Sequence, residues 1–337
     1  MQFLEVSGIS RQEKTLFALK DVSFTQEKSR KIAIAGETGS GKSTLLKIIA
    51  GLVQPDSGLV KFEGEKVWGP NYKLVPGHPG ISYLSQYFEL RNNYRVADLL
   101  AIDNQLSDEA SAELYRICRI DHFLQRKTDQ LSGGEKHRIA LARTLSFSPR
   151  LLLLDEPYSN LDVMHKDTLK SVIRDIGEKL DITCILISHD PEDTLSWADE
   201  ILVMQEGAII QRGSPREIYG QPASEYVAGL FGKYNLIPAA QAHLLSGLPG
   251  VAPDAGTKPT GKNILIRAGH FQIGSQGLPA RISKVTFLGD VFEIIASLET
   301  DASKPAVHVT IKTTGASHLA AGDKIYLSVL PANLCYI

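Results

Sequence analysis

The chain has 337 residues, 43% of them hydrophobic, enough for about two domains with real cores, so disorder is not the default. A formal charge of −2 leaves no electrostatic footprint for nucleic acid or anionic lipid, which disfavours direct nucleic-acid binding. Cys118, Cys184 and Cys335 are odd in number, far apart and free of any CxxC pair, which argues against a disulfide framework or structural zinc and fits a reducing cytosol. The first residues lack a basic segment leading into an apolar one, and no run approaches the roughly 20 apolar residues of a spanning helix. A membrane role would therefore come through a partner.

Residues 1 to 35 read as short strands: Phe3 to Val6, Leu19 to Phe24 and Lys31 to Ala35, with the polar segment Ser10 to Thr15 between the first two. The third strand runs into Gly36-Glu37-Thr38-Gly39-Ser40-Gly41-Lys42-Ser43-Thr44, which fits the phosphate-cradling pattern GxxxxGK[ST]. Glycines let successive N–H groups point inward, and a helix opening near Gly41 adds the positive end of its dipole. In such a nest Lys42 reaches the outer phosphates, Ser43 can ligate a magnesium ion, and Thr44 is the weaker second hydroxyl. Leu45, Leu46, Ile48 and Ile49 then recur at helical spacing, and Gly51 stands where that helix ends. Ser57-Gly58 and Glu63-Gly64 read as turns around a strand at Leu59 to Phe62, and the run Ile81 to Leu84 places Gln86 at a strand end.

From Arg95 to about Lys127 the pattern is helical and polar with apolar stripes, an inserted helical subdomain spanning about residues 88–148. A helix from Gly133 to Phe147, the strand Leu151 to Leu154, a helix after Asp162, the strand Cys184 to Ile187 and a helix after Asp190-Pro191 follow. Strands alternating with helices predict a parallel sheet, with ligand sites beyond the strands' carboxyl ends, where Asp155 and Glu156 stand. Ser214-Pro215-Arg216-Glu217 opens a further helix, and Ser224 to Phe231 forms another. Past Pro238 come short alternating strands, Ile264 to Arg267, Arg281 to Phe287, Val291 to Leu298, Val307 to Ile311 and Lys324 to Val329, with an exposed loop from Gly247 to Gly261. The expected division is residues 1–235, α/β, followed by 236–337, a small all-β domain.

A phosphate loop needs a carboxylate for its magnesium shell, and Asp155 is placed to supply it opposite Ser43. Glu156 is the natural base for an attacking water, because neighbouring strand residues point in different directions. A solvated Asp-Glu-Pro turn is the plain alternative, but four leucines lead into it. Leu131-Ser132-Gly133-Gly134-Glu135 opens a helix with an SxxE capping box. It is also a second helix-terminal anion site that carries no lysine, so Ser132 and the amides of Gly133 and Gly134 would complete a nucleotide pocket left open by the first loop. A second subunit would have to supply that cap.

In order, the nucleotide loop, Gln86, LSGGEKHRIALAR, LLLLDEP, SNLD and ISHD resemble the ATP-binding cassette (ABC) transporter ATPases over roughly residues 1 to 235. The resemblance implies a P-loop NTPase cassette binding ATP and Mg2+. It implies Gln86 as a sensor of magnesium and of the membrane partner, Asp162 as a contact to the opposing subunit, and His189 as the switch at the γ-phosphate. Ile-Arg-Ala-Gly at 266 to 269, Thr-Phe-Leu-Gly-Asp at 286 to 290 and Gly-Asp-Lys-Ile-Tyr-Leu-Ser-Val at 322 to 329 resemble the transport-associated OB-like (TOBE) domain of importer ATPases. This implies a bacterial uptake system: a head-to-tail pair of chains on the cytoplasmic face of the cell membrane, held by permease subunits and served by an extracytoplasmic solute-binding protein. Two positions depart from the family pattern. Glu135 stands where glutamine is commonest, and Glu13 falls near the spacing of the adenine-stacking aromatic, with Phe17 the nearest substitute. The rival readings are a non-transport ABC ATPase of repair or translation, and a nucleotide-gated module with negligible turnover.

Overall fold

The computed structural model describes residues 2–13, 16–87, 90–247, 262–299, 307–330 and 334–337. Its contacts divide into two compact units, Met1–Pro215 and Arg216–Ile337. In the first unit β1 (Leu4–Glu13) and β2 (Leu16–Gln26) pair antiparallel, followed by β3 (Ile32–Ala35) and α1 (Lys42–Ile49). β1 continues through Ser10 to Glu13, where the sequence read a polar connection, because β2 lengthens alongside it through a series of register shifts. β4 (Ser57–Phe62) and β5 (Glu65–Lys66) complete a sheet of order β2-β1-β4-β5. Ser57 and Gly58 lie inside β4 instead of in a turn. A Cβ at Gly58 would come within 2.4 Å of the Gly8 carbonyl, so the two strands cross too closely there for any side chain.

β6 (Ile81–Leu84) precedes the helical insertion of α2 (Val96–Ala101), α3 (Asp108–Ile117) and two 3-10 turns. Then come α4 (Gly133–Leu145), β7 (Leu151–Asp155), α5 (Val163–Lys179), β8 (Thr183–Ile187) and α6 (Pro191–Trp197). The hairpin of β9 (Glu200–Gln205) and β10 (Ala208–Gly213) closes the second sheet, of order β10-β9-β3-β8-β7-β6, in which β9, β3, β8, β7 and β6 run parallel. The sequence reading passed over this hairpin. Its signal is Glu206-Gly207, both at positive φ, between two apolar runs.

The two apolar central strands are explained by burial on both faces. Leu151, Leu153, Ile185 and Ile187 pack into one core with α1, whereas Leu152, Leu154, Cys184 and Leu186 pack into another with α4 and α5. Each fully buried leucine contributes roughly 2 kcal/mol, enough to fix the register and thus the place of Asp155 at the strand end. Among the described residues no helix is long and apolar enough to cross a membrane.

The second unit has α7 (Pro215–Gly220), α8 (Glu225–Leu230) and β11 (Tyr234–Ile237), then β12 (Ile264–Arg267), β13 (Phe271–Gly274), β14 (Leu278–Phe287), β15 (Phe292–Leu298), β16 (His308–Thr313), β17 (Lys324–Val329) and β18 (Leu334–Tyr336). They form two antiparallel sheets, β11-β12-β18 and β13-β17-β14-β15-β16, around a core of their own. Buried positions alternate with less buried ones along β15 and β17, in keeping with the short alternating strands expected there, whereas the sequence pattern did not announce β11, β13 and β18. The expected exposed loop lies, apart from Gly247, outside the described residues.

Candidate nucleotide-hydrolysis site

The loop from Gly36 to Gly41 wraps the N-terminus of α1, whose first residue is Lys42. Gly41 caps the helix at φ 98°, and a Cβ there would lie 2.3 Å from the Ala18 carbonyl, so only glycine fits. Lys42 is buried, and its ammonium donates to the carbonyls of Gly36 (2.7 Å) and Glu37 (2.8 Å). Burial lowers the Lys42 pKa, opposed by the negative charges of Glu156, Asp155 and Glu37. Glu37, Thr38 and Gly39 are exposed at the loop's rim, Ser40 is buried beneath it, and Ser43 and Thr44 are half-buried in the first helical turn.

The Ser43 hydroxyl donates to Asp155 Oδ1 at 3.0 Å, and Tyr83 donates to Oδ2 at 2.7 Å. Asp155 is 4% exposed, and its charge also acts on the buried Lys42 ammonium. A buried carboxylate held only by hydroxyl donors, beside a serine and within a phosphate nest, is the oxygen-rich donor set that suits a magnesium ion shared with phosphates. Among the described residues no group of three His, Cys, Asp or Glu side chains could hold a metal ion by itself.

Glu156 turns the chain at φ 48°, with its N–H on the Ile187 carbonyl at 3.0 Å. A left-handed non-glycine residue is strained, by about 1–3 kcal/mol, and such strain gathers at functional sites. Its carboxylate Oε2 gathers three side chains from three separate segments: Gln86 Nε2 at 3.4 Å, Ser159 Oγ at 3.1 Å and His189 Nδ1 at 3.1 Å. Gln86, Glu156 and His189, all picked out in the sequence, are thus brought together. Tyr83 and Ser159 were missed. Tyr83 sits in an ordinary strand pattern, and nothing in sequence spacing announces that its hydroxyl reaches β7.

Ser132 caps α4, its hydroxyl accepting from the Glu135 N–H at 3.3 Å while the Glu135 carboxylate accepts from the Ser132 N–H at 2.7 Å, so the capping box is complete. Ser132 and Gly133 are exposed and Gly134 is buried. Asp162 caps α5 through the His165 N–H and is exposed, followed by Val163 and Met164, which are 76% and 81% exposed. The side chains of Glu13 and Phe17 lie outside the described residues.

Residues 19–159 match a family model described as ABC transporter. The chain is 31% identical to the sulfate/thiosulfate import ATP-binding protein CysA of Bacillus cereus, over 96% of this chain and 95% of that protein. It is likewise 31% identical to an Fe(3+) ions import ATP-binding protein, FbpC 3 of Rhodococcus jostii, over 99% and 98%. The molybdate/tungstate import ATP-binding protein WtpC of Thermococcus kodakarensis is 38% identical over 69% of this chain and 72% of its own. Among solved structures, cbiO1 of Clostridium perfringens, part of the ABC transporter complex cbiONQ, superposes with a TM-score of 0.57 at 27% identity, covering 64% of this chain and 90% of that one. With full-length relatives on one side and a phosphate nest facing a carboxylate pair on the other, the chain belongs to the ABC transporter family as its ATP-binding, ATP-hydrolysing subunit.

Proposed function

We propose that two copies of this chain pair head to tail, close around two ATP molecules, and drive solute uptake by membrane-spanning permease subunits at the cytoplasmic face. In this reading each ATP lies between the loop Gly36–Thr44 of one copy and Ser132, Gly133 and Gly134 of the other. What favours a composite pocket is that Ser132 and Gly133 stand exposed at a helix N-terminus, where backbone N–H groups suit an anion. Beside it, Asp162 is followed by two large apolar side chains open to solvent, Val163 and Met164, an arrangement that suits a buried face between subunits.

On ATP binding, Lys42 exchanges its carbonyl partners for phosphate oxygens, and the loop amides take the remaining charge. Ser43, Asp155 and Gln86 would hold magnesium, which when bound screens the phosphate charge and polarises the bond to be broken. Glu156 orients the attacking water and accepts its proton, while Gln86 and His189, already on its carboxylate, respond to the γ-phosphate. The convergence of Gln86, Ser159 and His189 on one strained carboxylate is the observation that carries this assignment. Import follows from the relatives' names. Because sulfate and iron(III) relatives are equally similar to this chain, the cassette does not select the cargo, which we assign to the permease and a solute-binding protein.

Replacing Glu156 with Gln keeps the backbone and the hydrogen bonds but removes the base. Phosphate release from Mg-ATP is expected to fall about 10^2- to 10^4-fold, with an ATP-bound dimer accumulating on size exclusion. Undiminished turnover would reject the assignment.

A further inference from the structure

We propose that His165 is a positioning residue for Ser132: it ties the terminus that caps the opposing nucleotide to Asp162, so that the two act as one rigid face. The Asp162 carboxylate holds His165 twice, with Oδ1 on its backbone N–H at 2.9 Å and Oδ2 on Nδ1 at 2.6 Å. A contact that short to a carboxylate requires the proton on Nδ1, which fixes the ring and directs Nε2 away from Asp162. Nε2 lies 3.3 Å from Ser132 Oγ, the same hydroxyl that accepts from the Glu135 N–H. The ring also lies flush on Gly134, where a Cβ would stand 2.1 Å from its Cδ2. One imidazole therefore touches the capping serine Ser132, Gly134 and the cap of α5, Asp162.

The inference rests on the composite pocket proposed above and gives it a part that the sequence motifs do not contain. An unrestrained Ser132 side chain would sample three rotamers, and the anion site would be ordered only at the moment the second subunit arrived. With His165 on one side and the Glu135 amide on the other, the position of Oγ is held before the nucleotide meets it, and its proton, which Nε2 accepts in the free chain, turns to the phosphate when it does. Because Ser132 serves the nucleotide bound by the partner, loss of His165 acts across the interface and not on ATP binding by its own loop.

The test uses the Glu156→Gln chain, comparing ATP-driven dimerisation by light scattering with binding of a fluorescent ATP analogue at concentrations where the chain is monomeric. Adding His165→Ala is expected to raise the ATP concentration for half-dimerisation at least tenfold and to leave monomer affinity within twofold. His165→Gln, which keeps a side-chain hydrogen-bonding group, should recover most of the loss. In mixed dimers carrying one Lys42→Ala chain, the defect should follow His165→Ala only when it lies on the chain facing the loaded loop. Dimerisation curves that superimpose with and without His165, or loss of monomer affinity in both His165 variants, overturn the inference while leaving the composite pocket standing. A Glu156→Gln parent that stays monomeric with ATP overturns both.

Discussion

Asp155 accepts two hydroxyl protons on opposite oxygens, and the difference between its donors is instructive. Ser43 belongs to the phosphate loop, where in the proposed cycle it would exchange this bond for a metal. Tyr83 comes from the neighbouring strand β6, and its hydroxyl is pushed well above the ordinary phenol pKa, by burial first and then by the Asp155 carboxylate. It therefore remains a proton donor at every working pH and acts as a fixed stop for the carboxylate. Tyr83→Phe removes a hydrogen bond to a charged group, worth about 1.5–3 kcal/mol, part of which Ser43 retains. We expect turnover to fall about tenfold, while ATP affinity measured without magnesium stays unchanged, since no phosphate contact is lost. A turnover equal to that of the parent would show that Asp155 needs no second donor.

At the scale of the element, α4 begins with two glycines that do different jobs. Gly133 has open space where a Cβ would go, whereas at Gly134 a Cβ would collide with the His165 ring. Helix propensity alone favours alanine over glycine by about 1 kcal/mol at either position. Gly133→Ala should therefore leave thermal stability intact or slightly raised. Gly134→Ala should destabilise by about 1–3 kcal/mol as the first turns of α4 and α5 are forced apart, read as a lower melting temperature. Equal melting temperatures for the two variants would argue against this packing. Further along α4, Ile139, Leu141, Ala142 and Leu145 are buried in the same core as Leu152 and Leu154, so the helix that presents Ser132 is anchored in the core that also carries β7.

For the molecule as a whole, the two units have separate cores, so two unfolding transitions are expected in calorimetry. Among the described residues Arg267 is the largest fully buried side chain, and it identifies which transition belongs to the second unit. Its guanidinium donates to the carbonyls of Tyr219, Ala228 and Gly232 and stacks over the Tyr219 ring at 4.4 Å, thereby closing the ends of α7 and α8 onto β12. Burial lowers its pKa, but a guanidinium stays charged, and carbonyls at helix ends are its natural partners. Arg267→Met removes the charged donor from the Tyr219 and Gly232 carbonyls, while Ala228 keeps the Phe231 N–H, at a cost of about 3 kcal/mol. One transition should move down and the other stay, with ATP hydrolysis by the first unit preserved below the shifted transition. A single transition shifted as one would contradict independent cores.

The sequence by itself determined the nucleotide loop, the Asp155-Glu156 strand end, the capping box at Ser132 and the alternation of strands and helices. Each depends on residues adjacent along the chain, where backbone stereochemistry and hydrophobic period act locally. The tertiary structure alone decided which side chains meet. It brought Gln86, Ser159 and His189 onto one oxygen of Glu156, Tyr83 onto Asp155, His165 between Ser132 and Asp162, and Arg267 onto the ends of two helices. Those contacts join residues up to 72 apart along the chain, as Tyr83 and Asp155 are, and the ones at Asp155 and Glu156 exist because burial on both faces of β7 and β8 fixes the strand order and register. No local pattern encodes a meeting point that is set by the packing of the whole sheet.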